Sequence, residues 1–317
     1  MRVFVAGASG VIGRQLVPML AAAGHDVIGL ARSTSSGVII DGMGATVAMA
    51  DALDRAATMR AVADAAPDAV VNMLTSIPAD IKPRRLARDF RVTNRLRTEG
   101  TRNLAEAAEH ARAKHFISEG LAYAYEPGGE GPATEDEPFW QKPPKQFAPA
   151  LAAVQDLEAL TEDAGGLVLR LGHLYGPGTT FGADGSFVRQ LRAGKVPIVG
   201  DGTATFSFTH TEDAASAIVA ALDTRVVGAL NVVDDEPAIV SAWLPVLADV
   251  LSAREPRHVP VALARMAVGS WGVAFMTQLR GADNSRARLA LDWRPHYTSW
   301  HQGFVAELGD VAAASER

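Results

Sequence analysis

Short β-rich runs, mostly apolar, alternate with helically spaced apolar positions along the first half of the chain. The runs cover Val3 to Ala8, Asp26 to Arg32, Ala45 to Ala50, Ala69 to Leu74 and His115 to Glu119. Between them the pattern predicts helices over Val11 to Ala23, about Leu53 to Ala65 and about Arg84 to Ala111. A strand that is apolar throughout is buried on both faces, so the alternation predicts parallel βαβ units, a doubly wound α/β sheet with helices on each side. Glu126 to Pro149 breaks the rhythm with Gly, Pro and acidic residues and reads as a long surface loop near a site. A helix near Ala150 to Glu162 and a buried strand, Leu167 to Leu171, restore it. Beyond Gly176-Pro177-Gly178 the elements become irregular. The expected division is a nucleotide-binding domain over 1–172, taking back about 205–236, and a smaller substrate-binding lobe over 173–317.

Composition narrows the chemistry. With 317 residues, 48% of them hydrophobic and 21% charged, the chain can bury a full sheet and core. The net charge of −6 and the absence of a basic cluster exclude a nucleic-acid or anionic-membrane footprint and leave a small molecule as the expected partner. There is no cysteine, which removes disulfides, thiolate catalysis and Cys-ligated metals together, and no metal is expected. The chain opens on an apolar strand rather than a charged leader, so a cytoplasmic location is expected. The apolar stretch Val261 to Leu279 is interrupted by Arg265, Gly269, Ser270 and Gly272, and reads as a pocket-lining or interface helix pair rather than a membrane span. Monomer and homodimer both remain open.

The turn Gly7-Ala8-Ser9-Gly10-Val11-Ile12-Gly13 directly follows the first strand and opens the first helix. Glycines there allow a tight turn and close backbone approach, while a helix N-terminus offers free N–H groups to a pyrophosphate. This makes the fold Rossmann-type and the cofactor a dinucleotide, held by Gly7, Ser9, Gly10, Val11, Ile12 and Gly13. The second strand ends in Arg32-Ser33 rather than in a carboxylate. A guanidinium and a hydroxyl suit a 2′-phosphate, so NADP(H) is the expected cofactor. Asp51, with Ala52, follows the third strand and either accepts from the adenine amine or caps the next helix.

The whole chain resembles the extended short-chain dehydrogenase/reductases, in their epimerase/dehydratase-like branch. The resemblance is carried by the glycine turn, Gly100-Thr101-Arg102-Asn103-Leu104, Leu169-Arg170-Leu171-Gly172-His173-Leu174-Tyr175-Gly176-Pro177-Gly178, Gly200-Asp201-Gly202-Thr203, His210-Thr211-Glu212-Asp213 and Leu291-Asp292-Trp293-Arg294-Pro295. It implies further cofactor contacts at Leu74, Thr75, Ser76, Leu171 and Gly172. The family's Tyr-x-x-x-Lys proton relay is missing, because the matching helix places Ala150 and Val154 at those two positions. Arg97 stands where the family carries an asparagine, with Asn94 one helical turn earlier.

What remains for catalysis is Ser118, Glu119 and His173. Glu119, at the place of the family's hydroxyl, is either an acid or orienting group or a solvated loop carboxylate; His173 is either a donor or a structural, substrate-contacting histidine. Phe206 replaces the arginine with which nucleotide-sugar enzymes pair a diphosphate, and Tyr123 and Tyr175 join it as expected substrate contacts. Trp243, Trp271, Phe275, Met266 and Met276 suggest an apolar pocket, or core packing. The resemblance extends to tyrosine-less reductases of antibiotic tailoring, and the expected activity is NADPH-dependent reduction of a bulky hydrophobic carbonyl compound. A non-redox epimerase, dehydratase or cyclase, or an inactive NADP(H) sensor, are the alternatives.

Overall fold

The computed structural model describes residues 1–315. In chain order the first elements are β1 (Arg2–Ala6), α1 (Gly13–Ala22), β2 (Asp26–Ala31), α2 (Thr34–Gly42), β3 (Thr46–Met49), α3 (Arg55–Ala65) and β4 (Ala69–Asn72). A 3-10 turn (Pro83–Arg85), α4 (Leu86–Asp89), α5 (Arg91–Arg95), a π-helical turn (Leu96–Gly100) and α6 (Thr101–His110) lead to β5 (His115–Leu121), α7 (Ala148–Asp163) and β6 (Leu167–Leu171). The rest comprises β7 (His173–Tyr175), α8 (Ser186–Arg192), β8 (Ile198–Val199), β9 (Thr205–Phe206), β10 (Phe208–His210), α9 (Thr211–Leu222) and β11 (Gly228–Val232). It closes with β12 (Ala238–Ile239), α10 (Val240–Val250), β13 (His258–Val259), α11 (Val261–Thr277), α12 (Ser285–Ala290) and α13 (Trp300–Ser315).

Seven parallel strands form the central sheet in the order β11-β6-β5-β4-β1-β2-β3. It is the doubly wound Rossmann-type sheet the alternation predicts. Strand β1 shows why: Val3 and Val5 pack with Leu16, Val17 and Leu20 of α1, while Phe4 and Ala6 pack with Val62 of α3 and Leu104 of α6 on the opposite face. Each large side chain so buried contributes about 1.5–3 kcal/mol of transfer free energy. The chain winds from β1 to β2 and β3 on one side and from β4 to β5 and β6 on the other, so the direction switches between β1 and β4. In open α/β sheets ligands bind at the carboxyl ends of the strands at such a switch.

Three elements differ from the sequence expectation, and a fourth matches it. The helix expected over 84–111 is broken at Phe90, where ψ reaches 5°, and again by the π-helical turn. Helix α2 forms between the second and third strands, where no element is expected, and Ser33 caps it by accepting the Ser36 N–H at 3.3 Å. Strand β5 runs on to Leu121 rather than ending at Glu119. Helix α11 is divided at Gly269, whose φ is +76°, into two helical halves, the helix pair expected there. Among the described residues no helix is long and apolar enough to cross a membrane.

Candidate active site

The glycine turn sits at the switch point with almost no room for side chains. Gly7 has φ +97°, and a Cβ there would lie 2.7 Å from the Met73 carbonyl oxygen just past β4. A Cβ at Gly10 would approach the Gly7 carbonyl at 3.1 Å, and one at Gly13 would strike the carbonyls of Gly7 and Ala8. The Arg14 side chain donates to the Ser9 carbonyl at 3.0 Å and fixes the turn from the other side. Gly178 lies beside it, where an added Cβ would come 3.1 Å from the Val11 side chain. The bare backbone ahead of α1 is a cradle a pyrophosphate fits. Arg32 is exposed at the end of β2, and the Ser33 hydroxyl lies 3.0 Å from that of Ser35 and 3.1 Å from that of Ser36 across the first turn of α2. This arrangement can receive a phosphate monoester.

Other expected cofactor contacts lie on the same edge of the sheet. Asp51 accepts the Leu53 N–H at 3.0 Å, while the cap of α3 is Asp54, so Asp51 closes a local turn and does not start the helix. Ala52 is buried, and its carbonyl accepts from Asn103. The Leu74 N–H reaches the Asn72 side chain and the Ser76 N–H the Thr93 hydroxyl, leaving Thr75 exposed between them. Leu171 is buried at the end of β6, and a Cβ on Gly172 would strike the Ser207 carbonyl.

The candidate catalytic residues part company. Ser118 lies inside the sheet, opposite Asn72 and Val168, with its hydroxyl 2.9 Å from that of Thr161 on α7. Since β5 extends beyond it, Ser118 is a structural residue and not a group facing a substrate. Glu119 is the first residue past the β4–β5 ladder. Burial pushes its carboxyl up to about 7, against a smaller opposing pull from Arg97. A carboxyl in that range can hold or release a proton near neutrality.

His173 is sandwiched between Tyr123, 4.5 Å away ring to ring, and Phe206, 3.8 Å away, with Phe275 edge-on at 5.5 Å. Its Nδ1 meets the Ser207 carbonyl at 3.2 Å. A carbonyl only accepts, which assigns the proton to Nδ1 and leaves the buried, unpartnered Nε2 an acceptor. Burial also drives its pKa down to about 3, so the ring is neutral. The expected role as a proton donor is therefore corrected; a contact role remains.

Tyr175 and Phe206 are corrected as direct substrate contacts. Tyr175 is walled in by Phe208, His210 and Phe304, and Phe206 is sealed between His173 and Trp243. Large aromatic rings gain most by complete burial, and these two found it behind the site. Trp243, Trp271 and Met276 are likewise buried, and Met266 is exposed. Tyr123 and Phe275 remain the part-exposed rings beside His173. Ala150 and Val154 are buried on α7.

One site residue was passed over as a mere departure. Arg97, on the π-helical turn, is buried and electrostatically coupled to Glu119 and Tyr123. Its sequence signal was an arginine in place of a helical asparagine.

Comparisons with known proteins agree with this geometry. The NAD dependent epimerase/dehydratase family matches residues 3–232. A Streptomyces protein named 3-diazoavenalumate denitrifying reductase is 44% identical over 315 residues, covering 97% of this chain and all of that protein. Among solved structures, the UDP-glucose 4-epimerase of Thermotoga maritima shares the fold with a TM-score of 0.77 at 21% identity, covering 100% of this chain and 99% of that one. A human epimerase family protein with NADPH gives 0.71 at 22% identity, with 99% of both chains covered. The chain belongs to the NAD dependent epimerase/dehydratase family and is an oxidoreductase that works with a nicotinamide cofactor.

Proposed function

We propose that the chain is an NADPH-dependent reductase of a planar aromatic electrophile, with an aromatic diazo acid as the favoured substrate class. The observation that carries this reading is a bare glycine turn at the switch point together with part-exposed rings, a buried arginine and one carboxyl near the strand ends, without a phenol–ammonium pair. Gly7, Gly10 and Gly13 would hold the pyrophosphate, and Arg32 with Ser33 the 2′-phosphate. When bound, the reduced nicotinamide supplies a hydride.

The missing relay then has a chemical reason. Reducing a ketone consumes a hydride and a proton, which the family's tyrosine delivers. Replacing an aryl diazonium group by hydrogen, Ar–N2⁺ + H⁻ → Ar–H + N2, consumes a hydride and no net proton. The similar Streptomyces protein is named for denitrifying a diazo-substituted carboxylate. The part-exposed rings of Tyr123 and Phe275, backed by a neutral His173, offer apolar surface to an aromatic ring.

Reduction of a bulky hydrophobic carbonyl compound is the second reading, and Glu119 favours it, since a carboxyl at about 7 can serve as the acid. NADPH oxidation measured with an aromatic diazo acid and with an aromatic ketone, from about pH 6 to about pH 9, separates them. The first reading expects turnover of the diazo acid with little pH dependence. Turnover of the ketone alone, falling above neutrality, would replace it with the second.

A further inference from the structure

Arg97 is a buried charge with an unpartnered nitrogen. It is 3% exposed, and its Nη1 has no hydrogen-bond partner among the described residues. Other buried arginines are satisfied. Arg170 holds both Glu158 oxygens at 2.9 and 2.7 Å and the Tyr125 hydroxyl at 2.8 Å; Arg280 donates to the carbonyls of Gly128, Glu130 and Gly131. Among the described residues no carboxylate lies within ion-pair distance of Arg97, although Glu119 and Tyr123 are close enough to act on its charge. A buried guanidinium without a partner is strongly unfavourable unless something else supplies the negative charge.

The backbone presents this side chain deliberately. A π-helical turn inserts one residue into a helix and re-aims its side chains, and such turns recur at functional sites. This one is tied to the end of β4 by the Asn72 amide, which donates to the Thr101 hydroxyl at 2.9 Å, and by the Ser76 N–H to Thr93. Helix α7 packs against it, and its buried Ala150, Ala153 and Val154 are small. Helix α7 itself carries no lysine or arginine, so the cation at this contact comes from the π-helical turn.

We propose that Arg97 anchors the substrate by pairing with an anionic oxygen, carboxylate or phenolate, of a planar aromatic acid whose ring lies at the Tyr123 end of the Tyr123–His173–Phe206 stack. The planar fork of a guanidinium matches a carboxylate in two parallel hydrogen bonds, which a neutral carbonyl cannot replace as a countercharge. The cofactor's phosphates do not compete, since the glycine turn and Arg32 serve them. Glu119 is the internal rival for the same guanidinium. The inference rests on reading this region as a substrate site, not on which group of the substrate is reduced.

Calorimetric binding to the protein saturated with NADP⁺ tests it without turnover, so its failure is distinct from failure of the reductase reading. The probes are cinnamate against methyl cinnamate, for a carboxylate, and 4-nitrophenolate against 4-nitroanisole, for a phenolate. The native protein should bind at least one anion roughly tenfold to a hundredfold more tightly than its neutral partner. Arg97→Met should erase that difference by weakening the anion alone, Arg97→Lys should retain part of it, and Glu119→Gln should tighten the anion. Equal affinity for anion and neutral partner in the native protein, or equal weakening of both by Arg97→Met, would overturn the proposal.

Discussion

Arg32 and Glu119 each carry a charge whose consequence can be measured separately. Arg32 stands exposed beside the hydroxyls of Ser33, Ser35 and Ser36, where the only cofactor difference it can sense is the 2′-phosphate. Arg32→Ala should weaken NADPH by about ten- to a hundredfold, the value of one charge-assisted phosphate contact, and leave NADH nearly unchanged. Equal losses for both cofactors would remove the assignment. Glu119 holds its proton up to about 7 in the folded protein, against an ordinary 4.5. The stability this group provides is therefore complete below about pH 4.5 and is lost as the pH rises through about 7. Thermal unfolding of the ligand-free protein should show Glu119→Gln gaining on the native chain between those two values, by no more than about 3 kcal/mol, and then levelling off. A difference independent of pH would mean that Glu119 is not desolvated. Glu119 was legible as a candidate because it stands on a strand-end motif. Arg97 was legible only as a substitution, since neither burial nor a lost partner is written in a helical heptad.

At the level of elements the glycine turn gives the clearest test. Gly7→Ala puts a Cβ 2.7 Å from the Met73 carbonyl at a φ of +97°, so backbone strain and a collision with β4 coincide. It should cost about 1–3 kcal/mol of stability and at least a tenfold loss of NADPH affinity. Gly24 has a comparable φ of +79° but nothing within 4 Å of the added Cβ. Gly24→Ala should therefore destabilise while leaving NADPH affinity intact, and a matching loss of affinity there would assign the Gly7 effect to global strain. The glycine motif, α1 and the parallel strands were readable because apolar spacing and turn residues agree over each of them. Helices between 84 and 111 were not, because a π-helical turn shifts the spacing by one residue without interrupting the run of helix-forming side chains. Strand β5 was drawn two residues short for a related reason: Glu119 and Gly120 look like a strand end, yet both pair with β6. That error moved Ser118 to the mouth of the site when it belongs to the sheet.

In the whole molecule, the parallel doubly wound class followed from local alternation, whereas the surroundings of the candidate site depend on segments far apart in sequence. Tyr175 is buried by Phe304 of α13, and Phe206 by Trp243 of α10. No local pattern announces either contact, so aromatic residues expected to meet a substrate proved to be the wall behind it. What emerges is a cofactor cradle on one side of the switch point. On the other are a neutral histidine, two part-exposed rings, an acid poised near neutrality and an uncompensated arginine. The proposal of hydride delivery to an anionic aromatic electrophile rests on the rings and the arginine, while the acid is the one member that favours proton-coupled reduction. The most direct measurement is single-turnover reaction of the NADPH complex with an aromatic diazo acid labelled with ¹⁵N in both diazo positions, following NADPH absorbance and ¹⁵N2 by mass spectrometry. The account predicts one ¹⁵N2 released for each NADPH oxidised; NADPH oxidised with the labelled nitrogen retained, or no oxidation in a complex shown to bind the acid, would contradict it.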